Sequence, residues 1–138
     1  MITPLTTEYI ETKWEVISAA LGKFWNTTAN FETLPSLKIK LLTGTNQLWL
    51  FSIPDKVEIY YTSYVRHTAK GNILQGVHAG GINVSEEEVN SFIPQLFSEM
   101  EQMAKLYGFD AVAINTRRGL IRLLPDYELQ SVTLIKRL

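Results

Sequence analysis

His67 and His78 are the only imidazoles in the chain. An imidazole titrates near neutral pH, so either is a candidate general base or metal ligand. No second histidine, cysteine or acidic residue stands at metal-ligand spacing from them, and the sequence supports no metal site. The densest positive charge is Arg117, Arg118 and Arg122. Arg118 and Arg122 share a helical face, and Lys136 and Arg137 can join them from the closing segment. Such a group suits a phosphate-rich partner or an acidic protein surface. Its plainer reading is a solvated helix face. Tyr60, Tyr61 and Tyr64 lie on one strand-like run, with Tyr60 and Tyr64 on one side and Tyr61 on the other. They can line a groove or a protein interface, where tyrosine is enriched, or simply pack. Trp14, Trp25 and Trp49 pose the same choice. Glu86, Glu87 and Glu88 follow Ser85 and read most simply as a helix start. No spacing supports a Ser/His/Asp triad, and no phosphate-binding or dinucleotide fingerprint occurs.

The elements that must hold these residues follow from periodicity. Thr6 or Thr7 caps a first helix, whose apolar positions Ile10, Trp14, Ile17, Leu21 and Phe24 form one face. A second helix runs from Leu34 to Leu42, with Thr33 as cap and Pro35 in its first turn. Three strands follow: Gln47 to Ile53, Val57 to Arg66, and Ile73 to Val84. Thr68 to Asn72 forms the loop between the second and third. Gly80-Gly81 predicts a bulge or a close backbone approach. Ser85 and Glu88 make a capping box for a long helix with Val89, Phe92, Ile93, Leu96, Phe97, Met100, Met103, Ala104 and Tyr107 on its buried stripe. Pro94 interrupts that helix, and the stripe keeps phase across it, which predicts a kink. Gly108 ends the helix, and Asp110 is a turn residue. Ala111 to Ile114 is a short strand, then come a short basic helix and a last strand to Leu138.

The chain has 138 residues, 46% apolar and 20% charged, with net charge −1 and no cysteine. One domain with a two-layer core fits that length. The near-neutral balance does not advertise nucleic-acid binding. The absence of cysteine removes disulfides, thiolate zinc sites and thiol nucleophiles, and fits a reducing compartment. No apolar run approaches the roughly 20 residues of a membrane span. The first residues carry no signal-peptide pattern, so the expectation is a soluble intracellular or virion-interior protein. The fold class expected is α+β: a mixed sheet with helices on both faces, three layers in all, formed by residues 1–138 as a single domain.

That element order resembles the acyl-CoA N-acyltransferase (GNAT) superfamily, with the stub around Ile2 to Leu5 as its first strand. Enzymes of that superfamily often carry, after the fifth strand, an Asn, a small residue, a Tyr and a Gly-Phe pair at set spacings. Here Asn115 and Gly119 match the first two. Arg122 takes the place of the Tyr, which often serves those enzymes as general acid, and Asp126-Tyr127 lies where Gly-Phe would be. The resemblance also implies a Gln/Arg-x-x-Gly-x-Gly/Ala loop before the long helix, cradling the cofactor pyrophosphate. This chain reads Gly80-Gly81-Ile82-Asn83-Val84-Ser85-Glu86-Glu87-Glu88 there. The glycines come early, and the glutamates repel a di-anion.

The chain is also similar to small acyltransferase-like proteins of tailed bacteriophages, on Gln47-Leu48-Trp49, Gly108, Arg117-Arg118-Gly119 and Lys136. Some of those are internal virion or head-associated components. The expectation is therefore a non-catalytic virion component, in the internal core or head-tail region, present in the host cytoplasm before assembly. It would act through contacts with portal, core or head-tail proteins, with self-association as a further option and no membrane contact. No catalytic, cofactor-binding or metal residues are assigned. The candidate contact surface is Arg117, Arg118, Arg122, Lys136, Tyr60, Tyr64 and Trp49. The alternative is an active acetyl-CoA-dependent N-acetyltransferase with Tyr127 or Tyr107 as substitute acid. A DNA-binding module using the arginines is a third option.

Overall fold

The computed structural model describes residues 1–22, 33–54, 57–114 and 123–128. Among these residues five strands form one sheet in sequence order: β1 (Ile2–Pro4), β2 (Gln47–Ile53), β3 (Val57–Thr68), β4 (Gly71–Gly81) and β5 (Ala111–Ile114). The first four run antiparallel to their neighbours, and β5 lies parallel to β4. That switch follows from the connection. Helix α4 (Glu86–Leu106) links the two strands, and a parallel return needs such a crossover.

Alternation along β3 divides two cores. Ile59 and Tyr61 join Trp49, Phe51 and the α4 stripe of Val89, Ile93, Leu96, Phe97, Met100 and Ala104. Tyr60 joins Leu48 and the early helices through Ile10, Ile17, Leu21, Leu37 and Leu41. The predicted placement of Tyr60 and Tyr61 on opposite faces therefore holds. Helix α4 runs unbroken through Pro94.

The first predicted helix is two: α1 (Thr7–Thr12) and α2 (Trp14–Gly22). Thr6 caps α1 by accepting from the Tyr9 N–H at 3.2 Å. At its other end the Thr12 hydroxyl donates back to the Glu8 carbonyl at 2.8 Å, a bond that bends helices. Lys13 leaves helical geometry at φ −111°. The stripe of Ile10, Trp14, Ile17 and Leu21 continues across the break, while Phe24 lies outside the described residues. Helix α3 (Leu34–Leu42) has the predicted bounds and Thr33 cap.

The β3–β4 hairpin extends further into the expected loop. Thr68 still pairs with Gly71, and its hydroxyl donates to the Gly71 carbonyl at 2.8 Å. Asp110 braces this end, its carboxylate accepting from the Asn72 N–H at 2.8 Å. At the other end β4 stops at Gly81 rather than Val84, because Asn83 turns left-handed at φ 53°. The short basic helix and closing strand expected after Ile114 fall on residues 115–122 and 129–138, outside the described residues.

Candidate functional site

Among the described residues, β4 and β5 pair in parallel from Ile73 to Gly76 against Ala111 to Ile114. Immediately past it, Ser63 faces Gly76 and Thr62 faces His78, so Val77 is an extra residue on β4. The bulge is therefore at Val77 and not at Gly80-Gly81, which pair in regular register with Tyr60 and Ile59. Those two glycines mark a close backbone approach, the other reading the sequence offered. A Cβ at Gly80 would collide with the Ala20 carbonyl oxygen and stand 2.7 Å from the Ala20 carbonyl carbon and 3.0 Å from the Leu21 Cα. A Cβ at Gly81 would collide with the Val84 side chain. Helix α2 thus lies backbone against backbone on the end of β4. A cleft of about 300 Å³ opens there, lined by Glu15, Val16 and Ala19 of α2 and by Gly81, Ile82 and Asn83.

The bulge gathers buried polar groups. Thr62, Ser63, Gln75 and His78 are all buried. Thr62, Gln75 and His78 share the face of Tyr60, and the Thr62 hydroxyl oxygen accepts from the His78 backbone N–H at 3.2 Å. His67 is elsewhere, exposed near the hairpin tip, with its Nδ1 2.8 Å from the Asn72 Oδ1. It pairs across the ladder with Asn72, whereas His78 pairs with Thr62. Five residues of β3 separate those rungs, about 17 Å, so the two imidazoles do not form one site. Among the described residues no three His, Cys, Asp or Glu side chains cluster for a metal ion, and no helix is long and apolar enough to cross a membrane.

At the β4–α4 junction the capping box forms as predicted. The Glu88 N–H donates to the Ser85 Oγ at 3.2 Å. The Ser85 N–H and hydroxyl donate to the Glu88 carboxylate at 3.4 and 3.3 Å. Val84 and Val89, which flank the cap, are both buried in the α4-side core, the pattern of a hydrophobic staple. The helix therefore enters at a fixed angle with a carboxylate of its own seated at its positive end.

Of the expected contact residues, two are interior. Trp49 is 5% exposed and its indole N–H donates to the Ser63 hydroxyl at 2.8 Å. Tyr60 is 2% exposed, and its hydroxyl lies 2.9 Å from that of Tyr9. Both belong to the core, because the alternation that faces Tyr60 and Leu48 to the early helices turns Trp49 and Tyr61 toward α4. Tyr64 is half-buried on the Tyr60 face, one position beyond Thr62. Arg117, Arg118, Arg122 and Lys136 lie outside the described residues.

Both substitute acids, Tyr107 and Tyr127, lie among the described residues. Tyr107 is 65% exposed but caps the C-terminal end of α4, roughly 30 Å along the helix from the junction. Tyr127 is half-buried against Phe97, ring centroids 5.8 Å apart and edge-on. Burial first, then the nearby Glu101 carboxylate, push its ionisation above the ordinary phenol range.

The buried bulge group was missed in the sequence. Its only signal was a run of Thr62, Ser63, Gln75 and His78 inside two strands otherwise apolar at alternate positions.

No protein-family model matches the chain, and no curated protein matches it. Solved structures do. A possible acetyltransferase from Clostridium difficile 630 superposes with a TM-score of 0.67 at 11% identity, over 100% of this chain and 97% of that one. A GNAT family acetyltransferase from Staphylococcus aureus gives 0.66 at 11% identity, over 100% and 98%. An aminoglycoside acetyltransferase from an uncultured soil metagenomic sample, in complex with sisomicin, gives 0.66 at 17% identity, over 100% and 95%. The likeness is one of fold. The mixed sheet with its helices is acyl-CoA N-acyltransferase-like, as the element order predicted.

Proposed function

We propose that this chain is an acyltransferase-like domain that does not transfer acyl groups and works through protein–protein contacts as a component of a tailed-phage particle. The observation that carries the non-catalytic part is the capping box at the β4–α4 junction. A helix N-terminus attracts anions because its first amides are unpaired and its dipole is positive there. Here Ser85 takes the Glu88 N–H, and the Glu88 carboxylate takes the Ser85 N–H. Glu87 is exposed beside them. A second anion placed about 4 Å from one carboxylate is repelled by ~1 kcal/mol per charge pair in water and by about 4 kcal/mol near a protein surface. The residues present therefore do not fit the pyrophosphate of an acyl-CoA. Neither Tyr107 nor Tyr127 supplies the acid that Arg122 replaces.

The phage part rests on the short pattern Gln47-Leu48-Trp49, Gly108, Arg117-Arg118-Gly119 and Lys136. In the fold, Gln47–Trp49 opens β2 and Gly108 closes α4 at φ 79°. These are scaffold positions, so they support common descent more than a particular contact. The partners proposed are portal, core or head-tail proteins, with self-association as a further mode. Mass spectrometry of purified particles tests this. The chain is expected at a fixed copy number, and its absence from particles would refute the assignment.

One observation favours a second reading, an active acetyl-CoA-dependent N-acetyltransferase. A buried imidazole, His78, follows the bulge on β4, the strand that pairs with β5. Thiol release from acetyl-CoA in the presence of an amine panel separates the two readings.

A further inference from the structure

The C-terminal end of α4 and the tip of the β3–β4 hairpin meet at one edge of the domain. The Asp110 N–H donates to the Asn72 carbonyl at 2.9 Å, and the Asn72 N–H donates back to the Asp110 carboxylate at 2.8 Å. Glycine at position 71 permits the approach, since a Cβ there would collide with that carboxylate. Phe109 anchors the joint by packing against the α4-side core. Tyr107, three residues before Asp110, therefore stands within about 11 Å of the joint.

Among the described residues six large apolar side chains are exposed, and three of them, Val65, Leu106 and Tyr107, belong to this edge. Leu106 is 82% exposed and Tyr107 65%. Val65 pairs across the ladder with Leu74, which is buried in the α4-side core. Opposed residues share a face, so Val65 stands on the side of the sheet where α4 ends. Exposed apolar side chains scattered singly are ordinary, whereas several at one place mark a contact site. The charge here is positive. Lys70 in the hairpin turn, Lys105 in the last turn of α4 and Arg66 on the opposite face of the hairpin are all exposed. Among the described residues none of the three is in an ion pair. The carboxylate beside them, Asp110, is turned to the Asn72 amide. Three cations thus face one engaged carboxylate, in a chain whose net charge is −1.

We propose that this edge docks an acidic protein segment that also carries apolar side chains. Its carboxylates lie against Lys70 and Lys105, with Arg66 adding to the attraction from across the ribbon, and its apolar groups cover Leu106, Tyr107 and Val65. Charge complementarity selects an acidic partner. The exposed Leu106 and Val65 select protein over nucleic acid, because a phosphate backbone gains nothing from an aliphatic side chain. The inference rests on the protein-contact reading above and gives it a surface made of residues other than the interior Trp49 and Tyr60.

The test is a nuclear magnetic resonance titration of the isotope-labelled full chain with three probes: a synthetic peptide of Glu, Asp, Leu and Phe, a peptide of the same length made of Glu and Asp alone, and duplex DNA. Amide shifts are expected at residues 64–72 and 104–110, with the mixed peptide binding about tenfold tighter than the acidic one and both weakening as salt rises. Tyr107→Ala should weaken the mixed peptide about tenfold, and Lys70→Glu combined with Lys105→Glu should abolish binding. Ile39→Ala removes a similarly exposed side chain (64%) on α3 and should change nothing. All the altered side chains are exposed, and the spectra of the free variants report that the fold is kept. No shifts at millimolar peptide, or shifts centred elsewhere, would overturn the proposal. So would tighter binding of DNA at the same amides. The titration involves no particle, so a chain that is found in particles and lacks these shifts refutes the surface alone, while shifts without presence in particles refute the phage assignment alone.

Discussion

Replacing Gly80 by alanine tests how α2 is seated on the sheet. The added Cβ would collide with the Ala20 carbonyl oxygen, with the Ala20 carbonyl carbon at 2.7 Å and the Leu21 Cα at 3.0 Å. All three obstacles are backbone, so no rotamer change relieves them. Either β4 or α2 must move by about an ångström. Overpacking of this kind costs about 1–3 kcal/mol when a core can give. Here the displaced helix carries Ile17, Ala20 and Leu21, each no more than 3% exposed. Partial loss of burial at the two large side chains adds to the cost, since each is worth about 1.5–3 kcal/mol when fully buried. The expected loss is about 3 kcal/mol, measured by urea denaturation with an unchanged m-value. Gly108→Ala is the control. It has open space around it but a φ of 79°, so its expected cost is the left-handed backbone alone, about 1–2 kcal/mol. A Gly80→Ala protein within 0.5 kcal/mol of the parent (about the scatter of surface substitutions) would refute the backbone contact between α2 and β4.

Ser85→Ala removes the acceptor for the Glu88 N–H and should cost about 1 kcal/mol in denaturation, with no change in the sheet core. Tyr9→Phe and Tyr60→Phe each break the 2.9 Å hydroxyl pair, and a double-mutant cycle should return a coupling of about 1 kcal/mol; a coupling near zero would mean the bond is not formed in solution. Stability should fall steeply in alkali. Burial, aided by Tyr9, raises the ionisation of Tyr60, and burial likewise raises Tyr61 and Tyr127. Below the ordinary phenol value of about 10, folded and unfolded chains both keep these protons. Above it the unfolded chain releases them first, so stability drops as pH rises, by about 1.4 kcal/mol per pH unit for each such tyrosine. Denaturation midpoints taken across that range should show the slope, and Tyr61→Phe should make it shallower.

Helix and strand periodicity made most of the scaffold legible before any coordinates. The bounds of α3 and β2, the Thr6, Thr33 and Ser85 caps and the stop at Gly108 all rest on local chemistry, and local chemistry is what a sequence displays. The break at Lys13 was hidden because the apolar stripe of Ile10, Trp14 and Ile17 stays in phase across it. Its cause, the Thr12 hydroxyl bonding to Glu8, competes with the helix only once the turn exists. The bulge at Val77 was hidden for a related reason. A bulge is a property of two strands in register, and Val77 carries no mark of it. Gly80 and Gly81 did mark a close approach, but not which element approached. The contact surface was the least legible. Trp49 and Tyr60 have the residue types of an interface, and only the pairing of β2 with β3 shows that both are turned inward.

Whether the β4–α4 junction receives an acyl-CoA is tested most directly by isothermal titration calorimetry with acetyl-CoA. With Glu88 seated on the Ser85 amide, no saturable heat is expected at millimolar ligand. A micromolar dissociation constant would contradict it and return the fold to its enzymatic reading.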